Sequence, residues 1–284
     1  MKTRVFAVCV VVFLFCGITH AGLSDGLVAY YPFNGNANDE SENGNNGTVH
    51  GATLAMDKFG NNNAAYYFNG NSYISINDSN SFDLNSLTIS AWFSTNTLEG
   101  YQDIFRQQKN TDFGGIIGLR ITGNQIEWIF FAFGEPSGKQ GKTLNANLST
   151  NQWYHVAWTK DHGQCKVYVN GVEQVTNNSE ATDQTSRSVA NPYIGVCNDG
   201  FGFNSFLNGT IDGIRIYNRA LSETEIHQLY SGMSPSIVVK PYTFTTGTPA
   251  KAAEVNADFD VLYTRINALN AIVCQDHPTA SICQ

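Results

Sequence analysis

The sequence predicts an all-β protein, a sandwich of two antiparallel sheets, with a helical tail behind it. Three observations carry that expectation. Short runs alternating apolar and polar residues recur along most of the chain. They are separated by turns rich in Asn, Gly and Ser, including the hairpin signal Asn170-Gly171. A sustained helical spacing appears only after residue 248. Many strands with little helix bury themselves best as two stacked, curved sheets.

The elements follow in order. Lys2 and Arg4 precede the apolar run Val5 to Phe15, and Thr19-His20-Ala21 offers small residues for cleavage, so residues 1–21 read as a secretory signal. Strands are expected at Leu27–Phe33, Ala64–Asn69, Tyr73–Ile76, Leu87–Ser94, Asp103–Gln107 and Gly115–Ile121. Further strands are expected at Gln125–Phe133, Trp153–Lys160, Gln164–Asn170, Tyr193–Val196 and in the first half of Phe206–Tyr230. In that last strand Asp212, Ile214 and Ile216 share a face, which the two isoleucines mark as the core side. A carboxylate turned inward needs a cation or several donors. A short helix follows, with Ser222 and Glu225 spaced as a capping box, Leu221 and Ile226 as a hydrophobic staple, and Gly232 as the stop.

The chain has 284 residues, a formal net charge of −8 and only 14% charged residues. Nothing basic enough for nucleic acid is present, and with the signal removed no membrane span remains. Four cysteines remain beyond the signal: Cys165, Cys197, Cys274 and Cys283. An even number in an exported chain favours disulfides. If the strands that Cys165 opens and Cys197 closes are neighbours, those two face each other. Cys274 and Cys283 then close a short loop, or Cys274 bonds a second chain.

Residues Asn34 to Gly47 are almost wholly Asn, Gly, Asp, Glu and Ser. Such residues make turns and also supply the oxygen ligands a calcium ion needs. Asp39 is the first side-chain candidate, with Asn43 and Gly44 beside it.

Seven stretches together resemble laminin-G-like domains of the concanavalin A-like lectin/glucanase superfamily, in its pentraxin-like branch. They are LVAYYPFNGNANDESENGNNG from Leu27, AYYFNGNSYISI from Ala65, LTISAWF from Leu87, WYHVAWTK from Trp153, VYVNG from Val167, YIG from Tyr193 and the segment Phe206 to Tyr230. The resemblance implies a jelly-roll sandwich over residues 22–232. It also implies a structural calcium ion tying the Asn-rich loop to the last strand, with Asp39, Asn43, Gly44 and Asp212 as ligands. The loop departs from the resembling pattern at Glu42, where glycine is usual.

Aromatic residues supply the ligand-binding candidates. On Gln125–Phe133 both faces are apolar, so one of them could line a groove, and Trp128 is the main candidate there. Phe201 and Phe203 lie in a Gly-rich loop and are the other two. Trp158 belongs to a core face; Trp92 points away from the apolar face of its own strand. No E-x-D-x-x-E string supplies the paired carboxylates of a retaining glycosidase, and no G-x-S-x-G is present. His155 reads as structural rather than as a base.

Residues 233–248 read as a linker. In residues 249–273, Val255, Phe259, Leu262, Ile266, Leu269 and Val273 form a heptad seam suited to self-association as a coiled coil, with docking on the chain's own sandwich as the other reading. Residues 274–284 form a Cys-bounded end. The expectation is a secreted, non-enzymatic recognition module that is calcium-stabilised and binds a glycan or an extracellular glycoprotein. The alternatives are a structural or adhesive protein that binds other proteins, and a divergent glycoside hydrolase.

Overall fold

The computed structural model describes residues 22–77, 80–108, 115–132, 139–178, 180–181, 183, 190–198 and 202–232. These all fall in the first of two compact units, residues 1–234; the second spans 235–284. The signal segment, the heptad segment, Phe201, Cys274 and Cys283 lie outside the described residues.

In chain order the strands are β1 Leu27–Tyr31, β2 Gly47–His50, β3 Thr53–Ala55, β4 Ala65–Asn69, β5 Tyr73–Ile76, β6 Leu87–Thr95, β7 Tyr101–Gln108, β8 Ile116–Thr122 and β9 Gln125–Phe131. They continue with β10 Lys139–Lys142, β11 Trp153–Asp161, β12 Gln164–Val169, β13 Val172–Gln174, β14 Pro192–Ile194, β15 Cys197–Asn198, β16 Phe203–Asn204 and β17 Asn208–Tyr217, followed by helix α1 Glu223–Ser231. Among the described residues the strands form an eight-stranded sheet in the order β13-β12-β11-β6-β17-β4-β3, with β1 paired to β17. A seven-stranded sheet runs β10-β9-β8-β7-β14-β5-β2, and β15 and β16 form a small hairpin. The sandwich is therefore as predicted.

The two sheets meet through interdigitated apolar side chains. Trp128 from β9 and Trp158 from β11 stack across the interface, centroids 5.7 Å apart and planes 11° apart. This corrects the reading of Trp128 as a ligand contact. Its face of β9, with Ile126 and Phe130, is the one that joins the core between the sheets. Both faces of that strand are apolar, so the pattern alone could not choose between them.

The expected pairing of Cys165 with Cys197 is also corrected. Strand β12 lies between β11 and β13 in one sheet, whereas β14 lies between β7 and β5 in the other. Both cysteines are buried, and no disulfide joins them to each other. Burial pushes the Cys165 thiol up to about 11, which keeps it protonated.

Strand β17 is bonded to β6 along its length, to β4 at its start and to β1 at its end. A bulge interrupts its register between Asp212 and Arg215. Gly213 makes it possible, with φ at 58°. The inserted residue reverses the alternation. Ile211, Ile214 and Ile216 are buried in the core, while Asp212 and Arg215 are half-buried on the outer face, opposite Trp92 and Ser90 of β6. Asp212 thus does not face inward, as strict alternation had placed it.

Helix α1 starts and stops as its sequence signals predict. The capping box between Ser222 and Glu225 is complete, and Gly232 closes the helix in a left-handed conformation at φ 67°. Leu221, Ile226 and Leu229 pack on Ala157, Tyr168 and Tyr217, so α1 covers part of the outer face of the eight-stranded sheet.

Gly213 has no neighbour closer than 3.7 Å to an added Cβ, so substitution there tests backbone conformation rather than space. Gly213→Val should destabilise the domain by about 1–2 kcal/mol, and Gly213→Asn by less, because Asn tolerates the left-handed region better. Denaturant melts of the two variants read this difference.

Candidate functional site

The Asn-rich loop is held by one carboxylate. Asp39 Oδ1 accepts the N–H groups of Tyr30 and Ser41, each at 2.9 Å, and Oδ2 accepts that of Asn45 at 2.9 Å. Asn43 Nδ2 donates to the carbonyls of Leu27 at 2.9 Å and Val28 at 3.1 Å. The loop is thereby sewn along β1. Glu42 and Gly44 both take positive φ, 71° and 75°, which explains why glycine suits the Glu42 position.

The four expected calcium ligands do not fit the ion as a set. Asp39 is spent on backbone N–H groups, and the Asn43 amide faces two carbonyls with its NH2. Asp212 sits on the outer sheet face, where the charges acting on it are Asp57, Lys58 and Arg215. Among the described residues no cluster of three or more His, Cys, Asp or Glu could hold a metal ion.

A different surface gathers charged and aromatic side chains: the outer face of the seven-stranded sheet. Register places Lys142, Glu127, Arg120 and Asp103 in one row across β10, β9, β8 and β7. Charges alternate along the row. Arg120 Nε donates to Glu127 Oε2 at 2.5 Å, and Lys142 Nζ lies 3.5 Å from Glu127 Oε1. The Arg120 guanidinium rests 4.0 Å from the centre of the Tyr101 ring. Arg106 stretches across Gly118, where a Cβ would meet its Nη1. That nitrogen lies 3.8 Å from Asp103 Oδ1, too far for a hydrogen bond. Burial therefore outweighs the cation, and the Asp103 carboxyl is pushed up to about 6.

An aromatic platform adjoins this row. Tyr193 of β14 opposes Arg106 on one side and Ser75 of β5 on the other. Phe203 stacks on Tyr73 at 4.6 Å and meets Tyr193 edge-on at 5.6 Å. His50 stacks on the same Tyr73 at 4.5 Å, and its Nε2 lies 2.9 Å from Ser75 Oγ. Asn198 Nδ2 donates to the Tyr193 hydroxyl at 3.2 Å. Phe203 keeps 41% of its surface exposed.

Of the sequence-predicted ligand contacts, the structure thus places Phe203 on an open face and Trp128 in the core. Tyr73, Tyr193 and His50, which complete the platform around Phe203, were not among the sequence candidates. The period of two in Tyr73-Ile74-Ser75-Ile76 does mark Tyr73 as outward, but nothing in the sequence brings Phe203 to it. His155, read as structural, is buried at 1% exposure against Ser90 Oγ, and burial lowers it to about 3.

A family model described as the concanavalin A-like lectin/glucanases superfamily, of laminin G type, matches residues 68–227, more than half of the chain. The chain belongs to this superfamily. Among solved structures, the superfamily member matches domain 4 of AbnA, a GH43 extracellular arabinanase from Geobacillus stearothermophilus, solved in complex with arabinotriose. The identity is 27% and the TM-score 0.59, covering 72% of this chain and 98% of that one. The receptor-binding domain of botulinum neurotoxin type G shares the fold at 20% identity and TM-score 0.54, over 72% of this chain and 51% of that one, about half its length. The serotype D binding domain does so at 18% identity and TM-score 0.54, covering 74% and 51% of the two chains. Among curated protein sequences, none matches.

Three outcomes are expected. Asp39→Asn replaces an acceptor by a donor opposite backbone N–H groups and should cost about 1–3 kcal/mol. EGTA should leave the melting temperature of both proteins unchanged, as scanning calorimetry would read. The raised Asp103 carboxyl means that folding takes up a proton between its ordinary value near 3.8 and about 6. Stability is thus highest below that window and falls as pH rises through it, by about 3 kcal/mol. Asp103→Asn should lose this component in urea melts at pH 4 and pH 7. Asp212, pushed up to about 7 by burial, shifts the same way but is present in both proteins, so their difference isolates Asp103.

Proposed function

We propose that the chain is an extracellular, non-enzymatic module that binds a short oligosaccharide on the outer face of its seven-stranded sheet. The observation that carries this reading is the platform of Phe203, Tyr73, Tyr193 and His50, which offers ring faces to the C–H faces of a sugar. Beside it stand Ser75, Asn198 and Arg106, suited to hydroxyl groups. The arabinotriose complex of the AbnA domain, which this chain matches over nearly that whole domain, supports the same ligand class. The extracellular setting rests on that neighbour's host enzyme and on the signal-like N-terminus.

A binding role suits the carboxylates better than hydrolysis does. Glu127 and Asp103 are both fully covered, and Glu127 is held between two cations. Neither is presented to a glycosidic bond. A calcium ion shared by Asp39 and Asp212 forms no part of this reading, because the two carboxylates have different partners.

Titration calorimetry with arabinotriose, after a glycan array, tests the proposal. Phe203→Ala and Tyr73→Ala should each weaken binding by about tenfold, roughly 1.4 kcal/mol. Val172→Ala, on the exposed edge strand β13 of the other sheet, should leave the affinity unchanged. A blank array would overturn the glycan reading in favour of a protein ligand, and release of reducing sugar from the array hits would overturn the non-enzymatic one.

A further inference from the structure

The outer face of the eight-stranded sheet carries a second arrangement, separate from the platform. The loop after β3 presents Lys58 in a fixed place. Asp57 pins that loop by accepting the N–H groups of Phe59 at 2.8 Å and Asn61 at 2.9 Å, and the Asn61 amide at 2.8 Å. Lys58 Nζ lies 3.0 Å from the centre of the Trp92 ring. Trp92 is itself backed by Tyr230 of α1, stacked at 5.6 Å. Asp212 sits opposite Trp92 in the ladder, and the Gly213 bulge turns it to this face. Lys58, Trp92 and Asp212 are all half-buried, so the amine is desolvated yet reachable. Phe59, beside it, is 75% exposed and extends the apolar surround.

We propose that Lys58 is an imine-forming amine that captures small aldehydes, including open-chain reducing sugars, over the Trp92 ring with Asp212 as the acid. Desolvation brings the amine down to about 8 and the Asp212 carboxyl up to about 7, so free amine and protonated acid coexist near neutral pH. The nitrogen lone pair forms the C–N bond. The carbonyl π pair moves to oxygen, which takes the proton of Asp212. The nitrogen then gives a proton back to the carboxylate, the hydroxyl leaves as water with that proton, the C=N bond closes as an iminium, and the iminium N–H proton returns to the Asp212 carboxylate. Amine and aldehyde become imine and water, with no oxidant or reductant consumed.

Two other described lysines, Lys160 and Lys166, lack one part each. Lys160 is also lowered by burial, but it is fully covered and its Nζ donates to Asn85 O. Lys166 is exposed, and its ion pair with Glu173 raises it. The proposal does not depend on the platform and can fail without it.

The purified chain would be treated with glycolaldehyde and sodium cyanoborohydride at pH 7.5, digested, and the label on each lysine measured. Lys58 should carry at least about tenfold more label than Lys166, because a lower pKa leaves far more free amine. Lys58→Arg should keep the cation over Trp92 and the melting temperature while losing that label. Asp212→Asn should slow labelling of Lys58 several-fold and leave Lys166 unchanged. Labelling of Lys58 no faster than that of Lys166 would overturn the proposal; undiminished labelling in Asp212→Asn would overturn the role of the acid.

Discussion

Strand β17 is the constraint on which the rest of the domain depends. It bonds to β6 throughout and divides its other edge between β4 and β1. It therefore links the N-terminal strand, the middle of the chain and the strand leading into α1. Long-range pairing of this kind carries a loop-closure cost, which the buried row Ile211, Ile214 and Ile216 helps offset as part of the shared core. The tolerance is narrow elsewhere on the strand. At Gly209 a Cβ would come within 2.2 Å of the Ser94 carbonyl, so β17 and β6 could not keep their spacing with any larger residue there.

The bulge at Gly213 decides what each face of that strand can do. Without it, Asp212 would point into an apolar core at a cost of several kcal/mol. With it, the carboxylate reaches the outer face beside Lys58 and Arg215, while the isoleucines keep the interior. Arg215 in turn lies 3.8 Å from the ring centre of Tyr30 on β1. One positive φ angle thus sets both the continuity of the core and the charge pattern outside it.

Much of this was legible in the sequence. The long central strands β6, β11 and β12 carry clear alternation, and α1 is bounded by side chains whose hydrogen bonds are local. Local rules suffice where the partners are three or four residues apart, as Ser222 and Glu225 are. The short edge strands β2, β3 and β10 were missed. Their sequences GTVH, TLA and KQGK have no pattern of their own, and they are strands only because β5, β4 and β9 lie alongside. The Asn-rich loop was read as a set of oxygen donors for an ion. The same oxygens serve backbone N–H groups in the structure, and composition does not distinguish the two uses.

The aromatic residues show why a site is harder to read than a fold. Trp128 and Phe203 are both large rings in or near strands, and residue type gave them equal standing. Register separates them. Trp128 shares its face with Ile126 and Phe130 and meets Trp158 from the opposite sheet, where a ring fills volume. Phe203 belongs to a two-residue strand with no core side, so its ring lies on Tyr73 and stays open to solvent. Tyr73 can serve as that base only because Ile74 and Ile76, its neighbours in sequence, are anchored inside. Alternate residues of the same strand are core and hold the platform in place, and that coupling of interior to surface is what the jelly roll contributes to the proposed binding face.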